Sequence, residues 1–256
     1  MDRTDIGLWG LAASGILVAV ALAISLWRRL GIELTMLWAC ARALVQLLIV
    51  GWALKLIVDD DDPLILSFAW LVVMVGFAAY TTWRRAPDVP LVLPLSLVAY
   101  AVSAAVTLGV LFGFGVYEVE GRTVVPLAGM VVGNSLSATV LVSRRLFATA
   151  TDHRDRIEGR LALGLSATES FRPELRESLR TALIPQIEST KAVGIVFLPG
   201  AMVGLILAGV EPADAVRVQV SVMYLVLGSV ATTTAVMSLG ISRQLFTKAE
   251  QLKRFP

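Results

Sequence analysis

Long apolar runs separated by short polar connections, with one long polar exception, dominate the pattern of this chain. Seven such runs fall at about 6 to 26, 34 to 57, 63 to 82, 91 to 116, 124 to 142, 192 to 209 and 216 to 241. Each is close to or above the roughly 20 apolar helical residues needed to cross a bilayer core of about 30 Å. The pattern therefore predicts an all-α, polytopic membrane protein with seven transmembrane helices. The first run is preceded by Asp2, Arg3 and Asp5. It lacks the basic lead and cleavage site of a signal peptide, and is expected to be a span.

The polar connections alternate in character. Arg28 and Arg29, then Arg84 and Arg85, then nine basic residues from Arg144 to Lys191, then Arg243, Lys248, Lys253 and Arg254 mark one side. Asp2 and Asp5, Asp59 to Asp62, Glu118 and Glu120, then Glu211 and Asp214 mark the other. Basic residues in short loops stay in the cytoplasm, so the N-terminus is expected outside and the C-terminus inside.

Composition agrees: 57% of residues are hydrophobic and 16% charged, with mean hydropathy +0.77. The formal net charge of +2 conceals 17 basic and 10 acidic residues on the cytoplasmic side, 4 and 10 outside, and Arg42 within the second run. So small a total gives no expectation of nucleic-acid binding. Cys40 is the single cysteine, which excludes an intrachain disulfide framework and a cysteine metal cluster.

The long connection, residues 143–191, is not low-complexity. Ile157, Leu161 and Leu165 recur at helical spacing, as do Leu175, Leu179 and Leu183, with arginines and glutamates between them. The spacing predicts a helical hairpin: the fifth span extended, a short turn or helix around 164 to 173, and a return helix. Pro173 is expected in the first turn of that return helix, with Glu174 and Glu177 near its positive end. A solvated stalk or a helix lying on anionic lipid would show the same pattern.

Polar groups at membrane depth are the candidates for a transport pathway. Arg42 and Gln46 lie four apart on one face of the second span, and Asn134, Ser135, Ser137 and Thr139 place a polar cluster in the fifth. Glu188, just ahead of the sixth span, is expected to reach Arg42, as either a cargo contact or a structural ion pair. Gln219 lies near the outer end of the seventh. Gly129 and Gly133 form a GxxxG pair suited to helix packing or a dimer seam. Pro199 and Gly200, in the middle of the sixth span, are expected to kink it as a gating hinge.

A metal site is unknown from this inventory: His153 is the single histidine, and the intramembrane methionines Met36, Met74, Met130, Met202, Met223 and Met237 suit soft ions or core filling. The acidic run Asp59 to Asp62 reads as a solvated outer loop capping the third span beside Pro63. A retinal pigment is excluded because no lysine lies in the seventh span, and no acid pair or buried base suggests an intramembrane hydrolase. A secondary transporter needs only polar groups in broken helices, but leaves the long hairpin unexplained.

Three stretches carry a resemblance: PLAGMVVGNSLSATVLVSRRL from Pro126, IEGRLALGLSATESFRPELRESLRTALIPQIESTKAVGIVFLPGAMVGLILAG from Ile157, and AVRVQVSVMYLVLGSVATTT from Ala215. These look like the Fet-type iron-export permease family of ATP-binding cassette (ABC) transporters, which includes a plant aluminium-tolerance permease, and the similarity covers most of residues 34 to 246. The six-residue step from Glu158 to Gly164, followed by Pro185, is similar to the Glu-Ala-Ala loop by which such permeases dock an ATPase. The resemblance implies a permease that dimerises in the plasma (inner) membrane, binds two copies of a cassette ATPase, and exports its substrate. It places the coupling surface at Glu158, Arg160, Gly164, Ser166, Glu169 and Arg172. Iron export is attributed to bacterial relatives and a nucleotide sugar to the plant complex, so iron or another metal is the expected cargo and a nucleotide sugar or other small solute the alternative. One permease domain, residues 1–256, would contain the hairpin at 143–191. No G-x-x-x-x-G-K-[ST] phosphate loop occurs in the sequence, so this chain is expected to bind no cofactor and to be no enzyme, with ATP and Mg on the partner ATPase.

Overall fold

A computed structural model describes residues 8–57 and 64–254. The acidic residues Asp2, Asp5 and Asp59 to Asp62, together with Arg3 and Pro63, lie outside the described residues. Nine helices follow in order among them: α1 (Leu8–Arg28), α2 (Glu33–Ile57), α3 (Leu64–Arg85), α4 (Val92–Gly113), α5 (Gly121–Asp152), α6 (Arg154–Ala162), α7 (Ala167–Ala192), α8 (Gly200–Leu207) and α9 (Pro212–Leu245). Apart from two single bridges, the described residues form no β-structure. Five stretches are long and apolar enough to cross a membrane: Glu33–Trp52 in α2, and all of α3, α4, α5 and α9.

The body is α3, α4, α5 and α9, with α7 laid along α5 and α9. The 32 residues of α5 and 34 of α9 run about 50 Å each at 1.5 Å per residue, well beyond a bilayer core. Their surplus length carries the α6–α7 end, where Val142, Leu146, Ile157, Phe171, Ile241 and Leu245 share one apolar core.

Toward the other end the helices meet through small hydroxyl residues. Ser135, Thr139 and Ser143, one turn apart on α5, are all buried, as are Ser103 on α4 and Ser229 and Thr233 on α9. Each of the α5 hydroxyls donates to the carbonyl four residues back, so these polar groups are satisfied within the helix and allow close approach. Ser103 Oγ also donates across to the Ser229 carbonyl at 3.0 Å. Gly240 marks the tightest crossing: a Cβ there would collide with the Leu95 side chain of α4.

Two expectations are corrected here. The run at 192 to 209 is not one kinked helix. It is a break, in which α7 ends at Ala192 and α8 starts only at Gly200. Gly194 takes φ +87°, and its N–H donates to the Phe197 carbonyl at 2.9 Å, closing a turn. Leu198 is pushed from the helical region by Pro199 after it. Pro199 therefore stands outside the helix, as the residue preceding its first turn.

The second correction concerns the start of α7. Ser166 caps it in a reciprocal capping box with Glu169, which satisfies the orphan donors there. Pro173 consequently lies in the interior of the helix instead of its first turn.

Candidate functional site

Two regions of α7 gather the chemistry. At its first turns, Arg160 on α6 reaches across to Glu174, both carboxylate oxygens accepting from Nη1 at 2.9 and 2.7 Å, and to the Ser170 carbonyl at 2.7 Å. Glu174 is only 4% exposed. A buried charge held this way fixes the angle between α6 and α7, because removing either partner strands the other. Gly164, at φ +87°, makes the turn between them in a conformation that L side chains rarely adopt.

The segment after α9 folds back onto this end. Arg154 Nη1 and Nη2 donate to the carbonyls of Lys253 and Leu252, each at 3.0 Å, while Nη2 pairs with Glu158 at 2.6 Å. Glu250 accepts from the Ala167 N–H at 3.1 Å, and Phe246 stands edge-on to Phe171. Between α6 and this segment lies an open groove of about 600 Å³ lined by Arg154, Glu158, Gly164, Glu250 and Arg254 among others. Of the expected coupling residues Glu158 and Gly164 line this groove, Glu169 and Arg172 are exposed outside it, and Arg160 is turned inward. The Ser166 hydroxyl, then the Ser166 backbone N–H, hold the Glu169 carboxyl below the usual carboxylate range, with the Arg172 charge adding to the effect.

The other end of α7 opens into a cavity of about 240 Å³ at the helix break. Asn134 of α5, Gln186, Ser189 and Thr190 of α7, Pro199 and Gly200 at the break, and Gln219 of α9 line it, with Met130 and Met223 as apolar walls. No acidic, basic or histidine side chain is among the described residues lining it. A smaller space of about 170 Å³, lined by Ser137 and Pro185, shares Asn134 and Gln186 with it. Gln219 is 7% exposed and its carboxamide oxygen has no hydrogen-bond partner.

The sequence-predicted pathway residues thus separate. Asn134 and Ser137 reach the cavities, with Pro199 and Gly200. Ser135 points instead at α9, donating to the Val131 carbonyl and, at 3.4 Å, to Ser229. Glu188 pairs with Lys191 on its own helix at 2.9 Å, so the expected contact with Arg42 is not made. The reason is position: α2 packs chiefly on α1, away from α7, and both Arg42 and Gln46 are exposed. Of the glycine pair, Gly129 faces Met74 of α3, whereas a Cβ at Gly133 would meet nothing within 4 Å. No group of three or more His, Cys, Asp or Glu that could hold a metal ion occurs among the described residues. Gln186, Ser189 and Thr190 went unnoticed in the sequence as site residues, although a polar residue every three or four positions ahead of an apolar run carried the signal.

Comparison with known proteins gives one consistent result. The family described as "Uncharacterised protein family (UPF0014)" matches residues 8–246. The chain is 34% identical to the "Probable iron export permease protein FetB" of Escherichia coli K12 over 98% of its own length and 97% of that protein. It is 35% identical to the "UPF0014 membrane protein STAR2" of rice over 96% of this chain and 86% of that one. For the "UPF0014 membrane protein YjkA" of Bacillus subtilis the figures are 34%, 95% and 97%. No solved structure matches.

Proposed function

The chain belongs to the UPF0014 family and is a multi-pass membrane protein, and from that premise we propose that it is the permease subunit of an ATP-driven ABC exporter in the plasma (inner) membrane. The observation that carries this reading is the α6–α7 hairpin. A short helix is clamped by the Arg160–Glu174 pair onto helices that run without interruption into the apolar body. Such a lever suits the conversion of a motor's closure into tilting of α5, α7 and α9. A simple solvated stalk would not require a buried ion pair or a docked terminal segment.

In this reading α1, α2, α3, α4, α5, the broken α7–α8 step and α9 are the seven spans. The N-terminus lies outside, and the α6–α7 hairpin and C-terminus lie in the cytoplasm, following the alternation of basic and acidic loops. Residues 1–256 form one permease domain, with 143–191 as its coupling hairpin. The motor is a separate cassette ATPase, two copies per permease dimer, which carries ATP and Mg. The apolar, unburied faces of α2 support a dimer or lipid contact. The name of the Escherichia coli relative supports iron as the cargo.

The test is co-purification with a cassette ATPase and measurement of its hydrolysis. Charge reversal at exposed Glu158 is expected to leave the permease folded and abolish stimulation of the ATPase. Transport by the purified chain alone on an ion gradient would sink the exporter reading in favour of a secondary transporter. For the cargo, unchanged iron efflux in cells lacking the gene would remove iron.

A further inference from the structure

We infer that two copies of this chain meet through α2 and α7, with Arg42 of one copy paired to Glu188 of the other and, by two-fold symmetry, the reciprocal pair completing the contact. The inference rests on the permease reading, which places both helices in the bilayer, and it names the surface by which that permease dimerises. From Met36 to Leu54, Arg42 and Gln46 are the strongly polar residues of α2, one turn apart on a single face. Both are exposed, and neither has a hydrogen bond or ion pair among the described residues. With Glu33 at the cytoplasmic start of α2 in that reading, Arg42 stands about 14 Å along the helix at 1.5 Å per residue. A cation at that depth requires protein or water beside it. The chief neighbour, α1, has no acidic residue to offer. Ala39 and Ala43 flank Arg42 and are exposed, and small side chains there let another helix approach closely.

The matching anion is on α7. The Arg145–Glu177 pair joins α5 to α7 on the cytoplasmic side, and Glu188 lies about 16 Å farther along α7 by the same rise per residue. Its side chain is 62% exposed, on an outward surface that also bears exposed Ile184 and Ile187. Lys191 donates to Oε1, which leaves Oε2 to accept from a guanidinium. Every other described acidic residue lies in a connection, in the first turn of a helix, between Asp152 and Glu177, or in the segment after α9. Within one chain the two charges do not meet, because α2 packs chiefly on α1, away from α7. A lipid phosphate reached by Arg42 would leave the Glu188–Lys191 pair facing hydrocarbon, whereas a second copy satisfies both groups at once.

The experiment measures dissociation of the dimer of the purified full chain in detergent on dilution, with thermal unfolding of the diluted monomer as the folding control. Glu188→Arg sets a further cation opposite Arg42 of the other copy, and Arg42→Glu removes the cation. Each is expected to weaken dimerisation about tenfold without lowering the unfolding temperature of the monomer, and the two substitutions in one chain are expected to restore it. In membranes, with Cys40→Ser removing the native thiol, a copy carrying Arg42→Cys and a differently tagged copy carrying Glu188→Cys are expected to join under mild oxidation. Dimerisation indifferent to both single substitutions, a double variant no better than either, absence of the mixed disulfide, or a disulfide closed inside one chain carrying both cysteines would overturn the proposal. Loss of retained anionic phospholipid in Arg42→Glu, with the dimer unchanged, would identify a lipid partner and also overturn it. A charge-swapped dimer that recruits no ATPase would leave the contact standing and the exporter reading refuted, while an ATPase-bound dimer indifferent to both substitutions would do the reverse.

Discussion

The two ends of α7 have opposite polar chemistry. At its start the capping and pairing groups have partners: Ser166 and Glu169 cap the helix reciprocally, Arg160 and Glu174 pair across to α6, and Glu250 takes up the Ala167 N–H, while the buried Ser178 hydroxyl farther along α7 and the Gln244 carboxamide oxygen of α9 have none. At its far end the chain breaks, α8 begins without a side-chain cap, and the Gln219 oxygen is buried without a partner. Satisfied polar networks rigidify; unsatisfied ones await a ligand or water. One helix therefore joins an end held by a buried ion pair and a capping box to an end where the chain breaks, and the proposed permease reading assigns coupling to the first.

The sharpest way to break this contrast is Glu174→Ala. It strands Arg160, whose side chain is 28% exposed and so partly solvated, and the expected cost is about 2–3 kcal/mol in thermal unfolding, below the range for a fully buried pair. Glu174→Gln should cost less, and ATPase stimulation should fall with the loss of the fixed α6–α7 angle. Stability unchanged by Glu174→Ala would remove the rigid lever. At the opposite end Gln219→Leu should do the reverse, leaving stability unchanged or raising it by about 1 kcal/mol, because an unpaired buried carbonyl is replaced by an apolar group. A large loss there would mean that the carboxamide is already satisfied. Ser166→Ala removes the cap and should cost about 1 kcal/mol, with hydrogen exchange rising at the first turn of α7 and staying flat at α8.

How much of this was legible in the sequence follows the same divide. Hydropathy found α3, α4 and α9 because lipid demands an apolar run, and the leucine spacing at 175, 179 and 183 found α7. The same measure is blind to backbone, so Val193 to Leu198 read as membrane helix although Gly194 and the Leu198-Pro199 step carried the signals for a break. The Arg42–Glu188 pairing assumed that similar depth means adjacency, and the packing of α2 on α1 removes that assumption. Asn134 was identified as polar at depth. Its companions Gln186, Ser189 and Thr190 were not, because they lie on a helix assigned to the soluble hairpin. Gly240 carries no hydropathy signal at all, and its importance comes only from the Leu95 side chain above it.

Acidification gives the finest test of the contrast. Glu169 is held below the usual carboxylate range by hydrogen bonds from the Ser166 hydroxyl and backbone N–H. A carboxyl whose pKa is lower folded than unfolded contributes stability that is present above its unfolded value, and that stability is lost as pH falls through the folded value. Below about pH 4, the ordinary carboxylate region, the first turn of α7 should begin to fray, seen as lower protection against exchange at Ala167 and Thr168 relative to the intrinsic rate at each pH. Glu169→Gln should abolish the pH dependence of that protection. Glu250 on the Ala167 N–H is the other carboxylate in contact with this turn, so Glu250→Gln measured alongside separates the contribution of that contact. The cavity end has no ionisable lining group among the described residues, with the exposed Glu188–Lys191 pair as the nearest charges along α7. Its protection against exchange, relative to the intrinsic rate at each pH, should stay level across the same pH interval, and parallel loss at both ends would show that α7 frays as one unit instead of holding two chemically distinct ends.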